Sequence, residues 1–278
     1  MNMKIRQLLQ ASIMTLVLLM SSPFVQAGSQ QGKPAVHKSE DIISFAKQVE
    51  KFAAKKHARA FILSRLGQAQ SSLPNGIEFT HTAIAIYSEI SLDDGTKANG
   101  YAIYNLYQNA GDAKRSQIVM DYPADFFWGV HELKSGIIIP SEEIQTRLIQ
   151  AIQKNYHVTL HNPKYSLIAN PFNNKYQNCT EHTLNVLNAA IYQTDDMKVV
   201  KQSIKNYFEP QRLKISPLKL ALGNLFVDGV RTSDHGRKKQ TTTFTTIGNY
   251  LTEFGLEDGR YTLVFNKATG SLLETKHI

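Results

Sequence analysis

The chain has 278 residues, one cysteine and a formal net charge of +8, with 42% hydrophobic and 19% charged residues. A single cysteine excludes an intrachain disulfide, so stability must come from a hydrophobic core, which a chain of this length can supply. The basic residues are scattered, and the tightest groups, Lys55-Lys56 and Arg237-Lys238-Lys239, lack the interleaved aromatics of a nucleic-acid platform, so no nucleic-acid partner is expected.

Lys4 and Arg6 precede an apolar stretch from Ile13 to Met20, and Val25-Gln26-Ala27 offers small residues at a cleavage point. This is the pattern of a secretory signal peptide over residues 1–27, cleaved near Ala27. Loss of Lys4 and Arg6 lowers the net charge by two, to +6. The apolar run is far shorter than the ~20 residues that span a bilayer. No stable membrane span is therefore expected, and the protein should be periplasmic or secreted. Residues 28–38 are polar, with glycine and proline, and read as a flexible lead-in. Residues 39–278 then read as a single domain.

Ser39-Glu40-Asp41 opens a helix, with Ile42, Phe45, Val49, Phe52 and Ala53 at helical spacing. Residues 58–66 suit either its continuation or a strand. Phe79 to Ile90 and the aromatic-rich Tyr101 to Gln108 are strands forming an antiparallel hairpin. Asp121 to Gly129, with Phe126, Phe127 and Trp128, reads as a packing loop or binding surface. A helix runs from Ser141 to about Tyr156, with Pro140 just ahead of it. Further helices are expected over 179–192, 197–208 and part of 217–227. Thr241 to Phe254 is open between strand and helix, and Tyr261 to Phe265 is a strand. Together these predict an α+β protein, an antiparallel sheet packed on helices.

Asn178 and Glu181 stand three apart, as an N-cap and an acidic third residue do, which makes Cys179 the first residue of its helix. There the helix dipole favours thiolate and the backbone N–H groups could hold an oxyanion, whereas an ionised Glu181 nearby would raise the thiol pKa. Free cysteines also serve as small buried hydrophobes, and both readings stand. A nucleophilic thiol needs a base. His81, opening an otherwise aliphatic strand, is the better candidate, and His182 on the cysteine's own helix is the other. A polar residue on the neighbouring strand would orient the base; Asn105 has the right chemistry, with Tyr104 and Gln108 as rivals. Trp128 could line a substrate groove with its neighbouring phenylalanines, and Tyr176 and Gln177, just ahead of the cap, are the other candidate substrate contacts. His157 and His161 flank a strand-like Val158-Thr159-Leu160 that would hold their rings too far apart for one metal, so no metal is expected. The glycines form no phosphate or dinucleotide loop, so no cofactor is expected. Asp234 and His235 read as a solvated loop.

The motif His81-Thr82-Ala83-Ile84, followed much later by Asn178-Cys179-Thr180-Glu181-His182, resembles the circularly permuted papain-like superfamily, which includes lecithin:retinol-acyltransferase-like enzymes and bacterial cell-wall amidases. In that group the histidine precedes the cysteine. Here Ala83 stands where the group has glycine, and a threonine follows the cysteine. The phrases Leu73-Pro74-Asn75-Gly76, Tyr165-Ser166-Leu167-Ile168-Ala169-Asn170-Pro171-Phe172 and Tyr176-Gln177-Asn178-Cys179-Thr180-Glu181 are similar to an exported bacterial family of unknown function, DUF2145. The resemblance implies a circularly permuted papain-like fold with the cysteine at a helix N-terminus. It also implies a thiol hydrolase or acyltransferase in which Cys179 attacks an amide or ester of a cell-wall peptide or acyl substrate, with His81 and Asn105 as partners. The alternative is a non-catalytic envelope binding or assembly protein with a structural or redox-exchanging thiol.

Overall fold

The computed structural model describes residue 32 and residues 34–91, 95–213 and 229–277. The expected signal peptide and the helix expected within 217–227 lie outside these. In chain order the elements are α1 (Ser39–Lys55), β1 (Ala60–Leu66), β2 (His81–Ser91), β3 (Lys97–Asn109), β4 (Asp112–Asp121), α2 (Pro123–Phe127), β5 (Glu132–Pro140), α3 (Glu142–Gln153), α4 (Tyr156–Thr159), α5 (Cys179–Tyr192), α6 (Met197–Tyr207), β6 (Gln211–Arg212), β7 (Gln240–Thr241), α7 (Phe244–Glu253), β8 (Glu257–Asn266) and β9 (Ser271–His277).

Seven strands form one antiparallel sheet in the order β4-β3-β2-β1-β5-β8-β9, so the protein is α+β, with helices packed on a large antiparallel sheet. Alternation divides the side chains between two faces. Phe61 and Leu63 of β1, Ala83 and Ala85 of β2, and Tyr101 and Ile103 of β3 face α1 and α2, where they meet Phe45, Phe126 and Phe127. Ile62, Ile84, Ile86 and Ile138 face the other way, onto α3, α5 and α7. Within residues 58–66 the central strand is β1, Ala60–Leu66, both of whose faces are covered, as an almost wholly apolar run requires. Thr241 to Phe254 resolves mostly as helix. Its cap is a box in which Thr243 and Thr246 each accept from the other's backbone, so the threonine run ends a strand and starts α7.

The segment 121–129 contains the short helix α2, with Pro123 at its start and Phe126 and Phe127 wholly buried. Strands β4, β5 and β9 were not expected from the sequence. The expected strand at 158–160 is instead the helical turn α4, restarted after Asn155 adopts a left-handed φ of 59°. Helix α5 is buried on nearly every side, packed between β2, α3 and α6. Its buried amides are satisfied, as such burial demands. Asn188 donates to the Leu184 carbonyl at 3.0 Å and accepts from Ser203 and Tyr250, each at 3.2 Å.

The sheet approaches α7 closely at Gly136 of β5. A methyl group there would fall 2.5 Å from Ser64 Oγ and 2.6 Å from Phe244 Cε1. Gly136→Ala is therefore expected to destabilise the protein by about 1–3 kcal/mol through overpacking, seen as a lower urea midpoint with an unchanged m-value.

Candidate thiol site

Helix α5 begins where the sequence places it. Asn178 Oδ1 accepts the Glu181 N–H at 2.9 Å, and Asn178 Nδ2 donates to the Leu167 carbonyl at 2.8 Å. The cap thus fixes both the helix head and the loop before it. Thr183 Oγ1 donates to the Thr82 carbonyl at 3.3 Å and to the Cys179 carbonyl at 3.0 Å. This clamps the first turn of α5 against the head of β2.

The head of β2 is also where the sheet parts. The β2–β3 ladder runs from Ile84 opposite Tyr104 to Ser91 opposite Lys97, so His81, Thr82 and Ala83 pair with β1 and stand outside it. The Thr82 backbone N–H faces the sulfur of Cys179 and favours its thiolate, and the cysteine side chain packs with Leu106 and Tyr165. It therefore lies against the residue next to His81.

His81 is wholly buried, on the opposite face of the sheet. Its ring stacks on Tyr107 with centroids 4.8 Å apart and planes 3° apart, and it meets Phe126 at 5.6 Å. Its Nε2 and Asn105 Oδ1 are 2.9 Å apart. Of the three strand residues weighed as orienting groups, Asn105 is the one that meets the imidazole. Tyr104 faces His157, and Gln108 donates to the Ala113 carbonyl. With Asn105 Oδ1 accepting, Nε2 carries the proton and Nδ1 is the basic nitrogen.

Asn105 is held in turn. Its Nδ2 donates to the Ile103 carbonyl at 3.1 Å and to Asp121 Oδ2 at 3.2 Å, and the same oxygen accepts from the Tyr107 hydroxyl at 2.5 Å. Arg65 stands directly opposite His81 across β1 and β2. Its guanidinium lies 5.4 Å from the Tyr107 ring centroid and 4.9 Å from that of Phe126, and it donates to the Phe126 carbonyl. Sequence reasoning missed Asp121 and Arg65. The signal for Asp121 would have been β4 itself, which brings Asp121 opposite Ile103, two residues from Asn105 on one face.

Burial pushes the Cys179 thiol up, and the Thr82 N–H, the Thr180 hydroxyl and N–H and the Arg65 charge pull the other way. Glu181 is not what raises it. That carboxylate is buried and pairs with Lys201 of α6, and Asn185 Nδ2 donates to it at 3.2 Å. Burial pushes Glu181 up as well, opposed by the Lys201 ammonium.

A cavity of about 350 Å³ opens onto Cys179. Leu73, Pro74, Ile77 and Phe79 line one side and Leu167 and Ile168 another, with Asn178 and Thr180 beside the sulfur. Trp128, Tyr176 and Gln177 are not brought to it. Trp128 sits 38% exposed at the end of α2. The Tyr176 hydroxyl meets Ser233 Oγ at 2.8 Å, with the Arg231 guanidinium over its ring. Gln177 is wholly buried, accepting the Asn162 N–H and donating to the Leu160 carbonyl. Asp234 and His235, expected to be solvated, have buried side chains. Asp234 accepts the Asn170 N–H at 2.8 Å and the His235 ring meets the Ile168 carbonyl, so both tie down the cavity wall. A larger and more polar groove of about 550 Å³, lined by Lys56, Arg59, Glu142 and Asp258 among others, lies toward the other end of β2, at Tyr87, and holds no thiol.

The fold and site thus define an α+β protein with a helix-capped thiol beside a buried His–Asn–Asp chain. Residues 52–251 match the family model described as an uncharacterized protein conserved in bacteria (DUF2145), and the chain belongs to that family. No curated protein and no solved structure matches it. No helix among the described residues is long and apolar enough to cross a membrane, and no group of three or more His, Cys, Asp or Glu among them is arranged to hold a metal.

His182 lies behind the cysteine, its ring centroid 6.3 Å from that of His161. Burial holds its pKa down to about 3, and the His161 and His157 rings add to this. The folded state then binds fewer protons than the unfolded one between about pH 3 and the ordinary 6.5. Stability therefore rises with pH across that window and is lost as pH falls below 6.5. At pH 5.5 one such imidazole costs about 1.4 kcal/mol. Denaturant titrations between pH 5 and 7 should show a shallower pH dependence for His182→Gln than for the wild type.

Proposed function

We propose that this protein is a thiol hydrolase or acyltransferase of circularly permuted papain-like type, acting on an amide or ester carbonyl. One observation carries the reading: the buried His81–Asn105 pair at 2.9 Å, at the strand head whose next N–H meets the Cys179 sulfur. Cys179 is the nucleophile, His81 the base and Asn105 the group that fixes its tautomer. Asp121 is a positioning residue, acting through Asn105. Sulfur and imidazole approach the head of β2 from opposite faces, and on this reading the proton must pass between them where β2 parts from β3. The Cys179 N–H at the head of α5 has no intrahelical acceptor and suits an oxyanion. The histidine-before-cysteine order supports the permuted arrangement, and the N-terminal pattern of residues 4–27 supports export to the periplasm or medium.

The second reading is a binding or assembly protein with a structural thiol, and the burial of Cys179, 4% exposed, favours it. Alkylation separates the two. The hydrolase reading expects iodoacetamide to modify native Cys179 near neutral pH, with His81→Ala slowing modification about tenfold or more and lowering ester turnover by about 10²–10⁴. Modification only after denaturation, with circular dichroism unchanged in the variant, would establish the structural thiol. Export is tested separately, by N-terminal sequencing of protein recovered from a bacterial envelope fraction, where the mature chain should begin at Gly28.

A further inference from the structure

The cavity that reaches Cys179 is enclosed largely by aliphatic and aromatic side chains. Among the described residues lining it there is no Asp, Glu, Lys, Arg or His. Its polar lining is neutral: Gln68, Ser72, Asn178 and the hydroxyls of threonines on three separate segments. The charged groups near the site, Arg65 and Asp121, are not part of the lining. A peptide carrying free carboxylates or amino groups would bring its charges against a wall whose described residues offer nothing to pair them, at a large desolvation cost. An apolar chain meets no such cost, and each methylene buried is worth close to a fourfold gain in affinity.

One polar group points further. Thr242, 3% exposed, lines this cavity, and its hydroxyl is buried without a hydrogen-bond partner among the described residues. Buried hydroxyls are normally satisfied, so one left without a partner at a pocket wall is suited to a ligand oxygen. A neutral ester or thioester of an apolar acid has this composition, an aliphatic body with one carbonyl group.

We infer that the pocket takes an apolar acyl group, presented as a neutral ester or thioester, rather than a charged peptide. The inference rests on the hydrolase reading for its chemistry but not for the ligand's class. In the reaction His81 takes the thiol proton, the sulfur adds to the acyl carbonyl and a C–S bond forms. The bond to the leaving oxygen or sulfur breaks as that atom receives the proton. Water, or an acceptor alcohol or amine, then cleaves the thioester and restores the thiol.

The test uses p-nitrophenyl acetate and p-nitrophenyl octanoate with the full mature chain. The octanoyl ester should be the better substrate by at least about tenfold in kcat/KM, with an octanoyl adduct on Cys179 by intact mass that Cys179→Ser lacks. Ile77→Lys should bring the octanoate-to-acetate ratio toward one, and Thr242→Val should lower octanoate turnover. Turnover that depends on Cys179 but favours acetate, or a ratio indifferent to Ile77→Lys, overturns the acyl assignment and leaves the hydrolase reading standing. If neither ester is turned over, calorimetric titration of Cys179→Ser with monooctanoylglycerol decides. Binding that Ile77→Lys abolishes sustains the acyl pocket while the catalytic reading falls, and no binding overturns both.

Discussion

The site depends on one structural constraint, the end of the β2–β3 ladder at Ile84 and Tyr104. Beyond that point β3 continues its pairing with β4, while the head of β2 is held by β1 alone. Two consequences follow for chemistry. The Thr82 N–H, no longer part of a β2–β3 ladder, is available to the sulfur, and a buried polar N–H needs such an acceptor. The His81 and Asn105 side chains then supply across the gap the link that the backbone no longer makes. A continuous ladder would leave α5 with nothing but a closed sheet to rest on.

A buried network of this kind is costly unless every member is satisfied, and the way it is satisfied determines its rigidity. Asp121 accepts from both Asn105 and Tyr107, so the amide cannot rotate without breaking a bond to a charged group. Tyr107 in turn stacks flat on His81, fixing the plane of the imidazole as Asn105 fixes its tautomer. Arg65 supplies the positive charge on the same face, above Tyr107 and Phe126. On the other face Lys201 meets Glu181 and draws α6 onto the first turn of α5. Removing one partner from either network would strand a buried charge, which costs more than the contact itself contributes.

How much of this could be read from the sequence follows from how local each signal is. The start of α5 was legible at Asn178 because a cap and its third residue are neighbours in the chain, and the observed helix keeps the expected bounds. The β2–β3 pair was legible from two apolar, aromatic runs around a turn. Strand β5 was not, because Gly136 and a short isoleucine run carry no alternation when both faces are covered. The edge strands β4 and β9 were not, because Lys114, Arg115, Glu274 and Lys276 break the apolar pattern where a strand meets solvent. Asp121 was lost with β4. Gln177 was given a ligand role by its place beside the cap, whereas its amide closes backbone bonds from Asn162 and to Leu160, a use that no local pattern reveals.

The separation of charge from apolar surface also bears on how a buried thiol could react. A thiolate formed against Leu106, Tyr165 and the neutral cavity is poorly solvated, and burial accordingly holds the proton on sulfur. A resting thiolate stabilised by the helix dipole alone is thus disfavoured, since the dipole contributes less than full burial removes. Transfer of the proton to His81 changes the balance, because the imidazolium so formed would bind Asn105, which is anchored on the Asp121 carboxylate. Charge would then appear on the face that carries the Asp121 carboxylate, against the repulsion of Arg65, leaving sulfur as the only ionised atom at the neutral pocket. In the proposed chemistry the nucleophile therefore arises with the proton transfer and not before it. A desolvated thiolate made in that way would meet an acyl carbonyl with little water to displace.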